Sequence, residues 1–468
     1  MPDIDEKAPS PDSIRLRDDE GEIIQVFVDR VAASVAAGDR ERLLKLAGDL
    51  HESDLGALLE ALPRDDRPRL VELMGREFDF SALTEIDDSV REDILEELPT
   101  RTLVEGVRDL ESDDAVAILE DLDSAGQKEI LEALTPVERV QLQRSLDYPE
   151  NSAGRLMQTT LVAVPPFWTA GQTLDHIHDA AADAMPESFF EVFVVDPAHK
   201  LIGNVFLDTL VRARRSARLD ELTQPRHAVT VSEDQEEVAR MFERYNLVSA
   251  PVIDEAGRLV GAITVDDIVD VIEEEAEEDI KALGGVRAGE SLSDSVLGIA
   301  RSRFLWLFVN LLTAFIASSV LGLFEGQLEK MVALAVLAPI VASQGGNAAT
   351  QTMTVAVRAL ATRELSAGNA LRVTFREARV GLLNGVAFGI ITALAAGGWY
   401  HSVGIGLVIA LAMVANLVAG ALGGILVPLA LDRYGYDPAV SSGAFVTTVT
   451  DVVGNFSFLG IATLWFAL

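Results

Sequence analysis

The sequence predicts a multi-domain membrane protein: an all-α superhelical N-terminal domain, an α/β domain built from a tandem repeat, a long connecting helix and a five-helix transmembrane domain. Three observations predict this. Charge changes abruptly near residue 300, five long apolar runs follow that point, and one strand-turn-strand phrase occurs twice before it. At 468 residues the chain also exceeds what one hydrophobic core organises.

Up to residue 300 there are 67 acidic against 29 basic residues, and beyond it 7 against 9, within a net charge of −36. So negative a field repels nucleic acid and anionic headgroups and attracts cations, so no nucleic-acid partner is expected. The bases are 32 Arg and 6 Lys, a skew that also fits a solvated surface adapted to high salt, and bulk charge therefore does not separate cation sensing from solvation. The absence of cysteine excludes disulfides, thiolate metal sites and cysteine nucleophiles. No nucleophile–base pair, zinc motif or phosphate loop emerges, and an enzyme is not expected.

Residues 1–21 are polar and acidic, lack an apolar signal core, and read as disordered, which leaves the acidic half on the cytoplasmic side. Residues 22–150 read as short amphipathic helices with recurring phrases, Leu58 to Pro63, Ile94 to Pro99 and Ile118 to Asp123, punctuated by Pro, Asp and Ser. Such a run builds a small superhelix.

In the next segment Val194-Val195-Asp196 through Gly203 to Asp208 matches Val252-Ile253-Asp254 through Gly261 to Asp266 at a constant offset, giving repeats over 151–220 and 221–270. Each copy reads as strand, polar turn, strand ending in Gly, then a helix start. This resembles a tandem CBS pair, which implies dimerisation and binding of ATP or another adenine nucleotide. Thr264 and Asp267 fall where the second copy of such a pair contacts ribose; the first copy lacks that Thr. Alternatively the two residues cap the helix that follows. A connecting helix is expected over 271–300, rich in acids from Glu273 to Asp279 whose mutual repulsion a divalent cation would relieve.

Beyond residue 301 the apolar runs lie near 304–324, 332–356, 380–400, 404–430 and 440–467, each long enough for a bilayer crossing of about 20 residues. The connector with Arg358, Arg363, Arg372, Arg376 and Arg379 belongs inside by the positive-inside rule. A multi-pass protein of the cell membrane, in contact with lipid, with a cytoplasmic N-terminus and an extracytoplasmic C-terminus follows.

A carboxylate at bilayer depth costs about 2.5–3.5 kcal/mol on insertion scales, so Asp451 in the fifth run needs a reason. Helical spacing puts Ala444, Thr448, Asp451 and Asn455 on one small, polar face, either for hydrogen bonding between helices or for an ion or proton path. In the second run Pro339 and Ser343-Gln344-Gly345-Gly346-Asn347 either let a neighbouring helix pack closely, as small residues do, or interrupt the helix and free carbonyls towards a pore, the reading that Asn347 and Asp451 favour. Mg²⁺ takes hard oxygen ligands and keeps its water, which suits few carboxylates among amides and carbonyls. No His or Cys in these runs offers a softer metal a ligand.

The order of parts, with GGNAATQ (345–351), RALATRE (358–364), Asp437-Pro438-Ala439 and the stretch Val446 to Asp451, resembles the MgtE family of Mg²⁺ channels. The resemblance implies a homodimer whose pore is lined by the second and fifth spans. Asp451 would be the pore carboxylate, with Asn347, Thr447 and the backbone near Ser343 and Gly346 beside it. It also implies closure by cytoplasmic Mg²⁺ on Asp267, Asp270, Glu275, Glu278, Asp279 and Asp437, with Asp113 and Asp114 in the N-domain. Ala349-Thr350 stands where the family has Gly-Asn. Two other readings stay open: a cation-coupled divalent exporter, and a membrane-anchored CBS sensor without transport.

Overall fold

The computed structural model describes residues 16–18, 20–180, 185–186, 188–291 and 295–467, with the side chains of 440–442 left aside. Most of the N-terminal stretch expected to be disordered thus lies outside the described residues. The chain divides into two compact units, Met1–Glu275 and Ala276–Leu468.

The first unit opens with short helices Gln25–Ala37 (α1), Arg40–Ala47 (α2), Glu52–Ala61 (α3), Arg67–Met74 (α4) and Asp88–Glu97 (α5). Thr100–Asp109 (α6), Ser112–Glu120 (α7), Ser124–Ala133 (α8) and Pro136–Leu146 (α9) follow. Local chemistry sets their ends: Asp39, Asp87 and Asp123 accept from the N–H groups of the first turns of α2, α5 and α8, and Thr135 with Glu138 forms a capping box on α9. Their apolar faces share one core, centred on Leu43, Leu58, Leu70, Leu83 and Ile118.

The tandem repeat follows as Ala153–Leu156 (α10), Ala163–Val164 (β1), Ala170–Asp179 (α11), Glu191–Val195 (β2), Leu201–Phe206 (β3) and Leu207–Arg212 (α12). The second half runs Leu219–Leu222 (α13), Val229–Thr230 (β4), Gln235–Tyr245 (α14), Ser249–Ile253 (β5), Leu259–Thr264 (β6) and Val265–Leu283 (α15). The two sheets have the same design, β1-β2-β3 and β4-β5-β6, each with a parallel then an antiparallel pair. Even the irregularity recurs, between Val194 and Val195 and between Val252 and Ile253.

The connecting helix differs from the expected 271–300: it begins at Val265, directly after β6, and ends at Leu283, where Gly284 and Gly285 stop it, Gly285 with φ +69°. Gly285 packs on Trp306, and a Cβ there would fall 1.8 Å from its Nε1.

Among the described residues of the second unit five helices are long and apolar enough to cross a membrane: Val296–Gly322 (α16), Val332–Ala361 (α18), Ala370–Trp399 (α19), Val403–Arg433 (α20) and Pro438–Phe466 (α21), with Glu325–Lys330 (α17) between the first two. Helices α16, α18 and α19 extend past the apolar windows, because helix continues through polar flanks such as Arg372 to Arg379 that hydropathy excludes. The expected interruption of the second span is absent. Helix α18 runs unbroken through Pro339 and both glycines, and packing explains why: α20 fits closely against it, with Gly420 and Gly424 so near that a Cβ on either would fall 2.6 and 2.5 Å from the carbonyl oxygens of Gly345 and Ala349. Gly381, Gly385 and Gly389 give α19 the same close approach to α20.

Candidate functional site

In the membrane unit, α18 buries Val341, Gly345 and Ala349 and turns Ser343, Asn347, Thr350, Gln351 and Thr354 outward. That outward row follows helical spacing, so from Ser343 to Thr354 one face of an apolar span is largely polar, after the exposed Val336 and Ile340 of its first half. The Thr350 hydroxyl donates to Gly346 O at 3.1 Å and Thr354 to Thr350 O at 3.0 Å. On α21, Thr447 donates to Gly443 O at 2.9 Å. With their protons on the helices' own carbonyls, these hydroxyls present lone pairs outward, which suits the water shell of a hydrated cation.

Asp451 is half-buried one turn beyond the exposed Thr447. Gly346 faces α21, its Cβ position 3.9 Å from Thr450 Oγ1. The face expected from spacing divides here: Thr448 and Asp451 lie at its margin, while Ala444 and Asn455 are buried in the bundle. Ala349 packs inward and Thr350 points out, so the departure at this pair leaves an oxygen on the polar face.

Sequence reasoning missed Asn416, fully buried in α20, whose Nδ2 donates to Val341 O at 2.8 Å. The available signal was its spacing, one turn before Gly420 and two before Gly424.

In the first unit, α7 and the start of α15 confront acids. Asp113 is half-buried, with its Oδ1 buried and unpartnered among the described residues. Burial first, then Asp267, Asp114 and Glu111, push its carboxyl well above the usual range. Asp114 is raised to about 7 by burial and by Asp267 and Glu111. Asp267 is raised to about 6, chiefly by burial, although Thr264 hydrogen bonds oppose the shift. Burial and Glu85 raise Asp270, and burial with Asp88 and Asp270 raises Glu274.

The acids are held together by polar joints between the helical domain and the repeat. Gln158 donates to Glu111, Arg155 pairs with Glu120, and the Thr159 N–H donates to Ser112 Oγ at 2.7 Å. Glu275 accepts from Gln235 Nε2 at 2.9 Å. Thr264 and Asp267 bond to each other, the hydroxyl donating to Oδ2 at 2.7 Å, as a cap on α15. Asp437 also caps, accepting from the Ala439 N–H at 2.7 Å. Glu278 and Asp279 lie half-buried on α15. Among the described residues no three His, Asp or Glu side chains enclose a metal-sized site. The acids therefore form a zone of confronted carboxylates, and the unpartnered Asp113 oxygen and raised carboxyls fit a hard divalent cation.

Residues 338–461 match the MgtE family described as a divalent cation transporter, residues 50–151 the MgtE intracellular N domain and residues 220–274 a CBS domain. The magnesium transporter MgtE of Thermus thermophilus is 34% identical over 443 residues, covering 91% of this chain and 96% of that protein. The chain belongs to the MgtE family. The Bacillus subtilis magnesium transporter MgtE is 27% identical over 416 residues, 89% of this chain and 92% of the relative. Among solved structures, the cytosolic domain of the Mg²⁺ channel MgtE in complex with ATP is 31% identical, with a TM-score of 0.48, covering 52% of this chain and 99% of that one. Membership in the MgtE family and five apolar helices make this a multi-pass membrane protein with a cytosolic-type N domain and a CBS pair.

Proposed function

We propose that the chain is a Mg²⁺ channel that admits Mg²⁺ down its electrochemical gradient and is closed by cytoplasmic Mg²⁺. The observation that carries this is the polar face of α18 and α21: Ser343, Asn347 and Thr447 are turned out of their own bundle and Asp451 stands half-buried at its edge, all within helices long and apolar enough to cross a membrane. Facing lipid, such a face is costly; covered by the same face of a second copy, it bounds a water-filled path. A homodimer with its pore at the interface is therefore the proposed assembly. Entry needs no ATPase, since a divalent ion gains about 4.6 kcal/mol per 100 mV at a negative interior. Magnesium transporters among the relatives support the choice of ion.

Closure is assigned to Mg²⁺ on the acids of the N domain, CBS pair and α15. The raised carboxyls of Asp113, Asp114 and Asp267 support it, because a bound cation would relieve their mutual repulsion. Asp270, Glu275, Glu278, Asp279 and Asp437 are the further proposed ligands. Within the membrane unit, Ala282 and Leu283 at the end of α15 share an apolar cluster with Ala349, Met353 and Val357 of α18 and Ala439 and Val446 of α21. A shift of that helix end therefore bears directly on the pore helices. The Arg-rich segment 358–379 supports a cytoplasmic N-terminus and an extracytoplasmic C-terminus. ATP or another adenine nucleotide is proposed at the CBS pair, with Thr264 and Asp267 as its contacts.

The test is Mg²⁺ entry into liposomes at fixed membrane potential, with Asp451→Ala beside the wild type and Mg²⁺ varied on the soluble-domain side. Entry that requires Asp451 and falls as that Mg²⁺ rises supports the channel. Entry that follows a proton or Na⁺ gradient points to coupled export, and a wild type without flux points to an anchored sensor.

A further inference from the structure

Asn416 sits where three helices meet. Its Nδ2 donates to Val341 O of α18 at 2.8 Å, and its Oδ1 is buried without a partner among the described residues. A Cβ on Gly345 of α18 would lie 2.0 Å from Nδ2, and one on Gly454 of α21 would lie 2.6 Å from it. Only glycine at both positions leaves room for the amide.

Packing alone does not call for this arrangement. Leucine has the same branching and number of side-chain heavy atoms, though bulkier ends, leaves no buried lone pair, and matches the buried Ile409, Ala412, Met413 and Leu417 of the same helix. What the amide adds is direction: a hydrogen bond fixes one carbonyl of α18 at one distance, whereas apolar contacts tolerate sliding and rotation. Val341 and Gly345 lie on the inner face of the same turns whose outer face carries Ser343 and Asn347, and Gly454 follows Asp451 by three residues. Any slip of α18 against α21 therefore changes how the oxygens of Asn347 and Asp451 stand relative to one another.

We infer that Asn416 is a positioning residue of the ion path: its carboxamide, wedged between Gly345 and Gly454, holds α18 and α21 in the register that sets the spacing of the pore oxygens. That spacing is what separates Mg²⁺, with its rigid octahedral water shell, from the larger and more adaptable Ca²⁺. The inference rests on the proposed channel function.

The experiment compares Mg²⁺ and Ca²⁺ entry into liposomes for wild type, Asn416→Leu, Asn416→Ser and Asn416→Ala, with thermal unfolding of each in detergent. Asn416→Leu is expected to fold and to lower the Mg²⁺/Ca²⁺ entry ratio about tenfold, as small misplacements around a site do. Asn416→Ser, which keeps a donor, recovers part of the ratio that Asn416→Ala loses. An Asn416→Leu channel with the wild-type ratio overturns the inference, as does an equal fall of both ions, which is what a packing defect produces. If Asn416→Leu does not assemble, the Ser and Ala variants decide: equal ratios in the two overturn it. Wild-type protein that passes no Mg²⁺ refutes the channel itself, whereas wild-type flux with unaltered ratios in the variants refutes only the role of Asn416.

Discussion

Glu191 and Ser249 occupy the same position in the two repeats, 58 residues apart, and are bonded to each other, Ser249 Oγ donating to Glu191 Oε1 at 2.5 Å. The pseudosymmetry of the pair thus converges on one buried carboxylate. Asn204 also donates to it, Arg226 approaches it to 3.7 Å, and the Arg226 Nη2 donates to Ser249 O at 2.9 Å. Removing the carboxylate leaves Asn204 and Arg226 facing a void, so Glu191→Ala should cost about 3 kcal/mol or more. Ser249→Ala, which leaves the ion pair in place, should cost about 1 kcal/mol. Unfolding of the purified chain followed by far-UV circular dichroism reads both; equal losses would show that the network does not centre on Glu191.

The confronted acids predict a pH dependence with a definite sign. Folding raises Asp114 to about 7 and Asp267 to about 6 from 3.8. The folded state therefore binds protons more tightly than the unfolded one, and its stabilisation is full below about pH 4 and lost as pH rises through 6–7. Mg²⁺ should replace those protons. Its stabilising effect on the thermal midpoint is expected to be several degrees at about pH 8 and much smaller at about pH 5.5, where protons already occupy the carboxyls. A Mg²⁺ effect that does not change between those conditions would remove these acids from the cation site.

Much of this was legible in the sequence for a physical reason. The repeat announced itself because both copies must build the same three-stranded sheet, down to the bulge after Val194 and Val252. The spans were visible because lipid permits little besides apolar helix. Asp451 stood out because charge is rare there. Asn416 did not, since its spacing to Gly420 and Gly424 signals only close helix packing, and its meaning comes from Gly345 and Gly454, which lie on two other helices. Glu191 was hidden for the same reason: its partners come from other segments of the repeat pair, at Asn204, Arg226 and Ser249. Pro339 and the paired glycines misled because their local tendency to break a helix is overridden by the fit of α20 against α18.

That fit gives a third prediction. Gly345→Ala puts a methyl 2.0 Å from the Asn416 amide and should destabilise the membrane unit by roughly 1–3 kcal/mol. Adding Asn416→Ala removes the obstacle, so the double variant should be more stable than the sum of the singles by about 1 kcal/mol or more. Heat inactivation of the detergent-purified protein provides the comparison, and strict additivity would mean that the two side chains do not meet.

Asp267 carries two roles that one pair of substitutions can separate. Its carboxylate accepts from the Thr264 N–H and hydroxyl at the start of α15, and it also stands among the raised acids of the proposed cation zone. Asparagine keeps an acceptor for the cap but has no charge, so Asp267→Asn should retain the stability of the cap. It should also weaken Mg²⁺ protection of the chain, because a divalent cation loses one of the carboxylates it would neutralise. Thr264→Ala does the reverse, removing the hydroxyl bond at a cost of about 1 kcal/mol while leaving Mg²⁺ protection in place. Limited proteolysis across a Mg²⁺ titration, run beside thermal unfolding, measures both quantities on the same samples. Loss of Mg²⁺ protection in Thr264→Ala but not in Asp267→Asn would assign the Mg²⁺ effect to the geometry of the α15 start, not to the Asp267 charge.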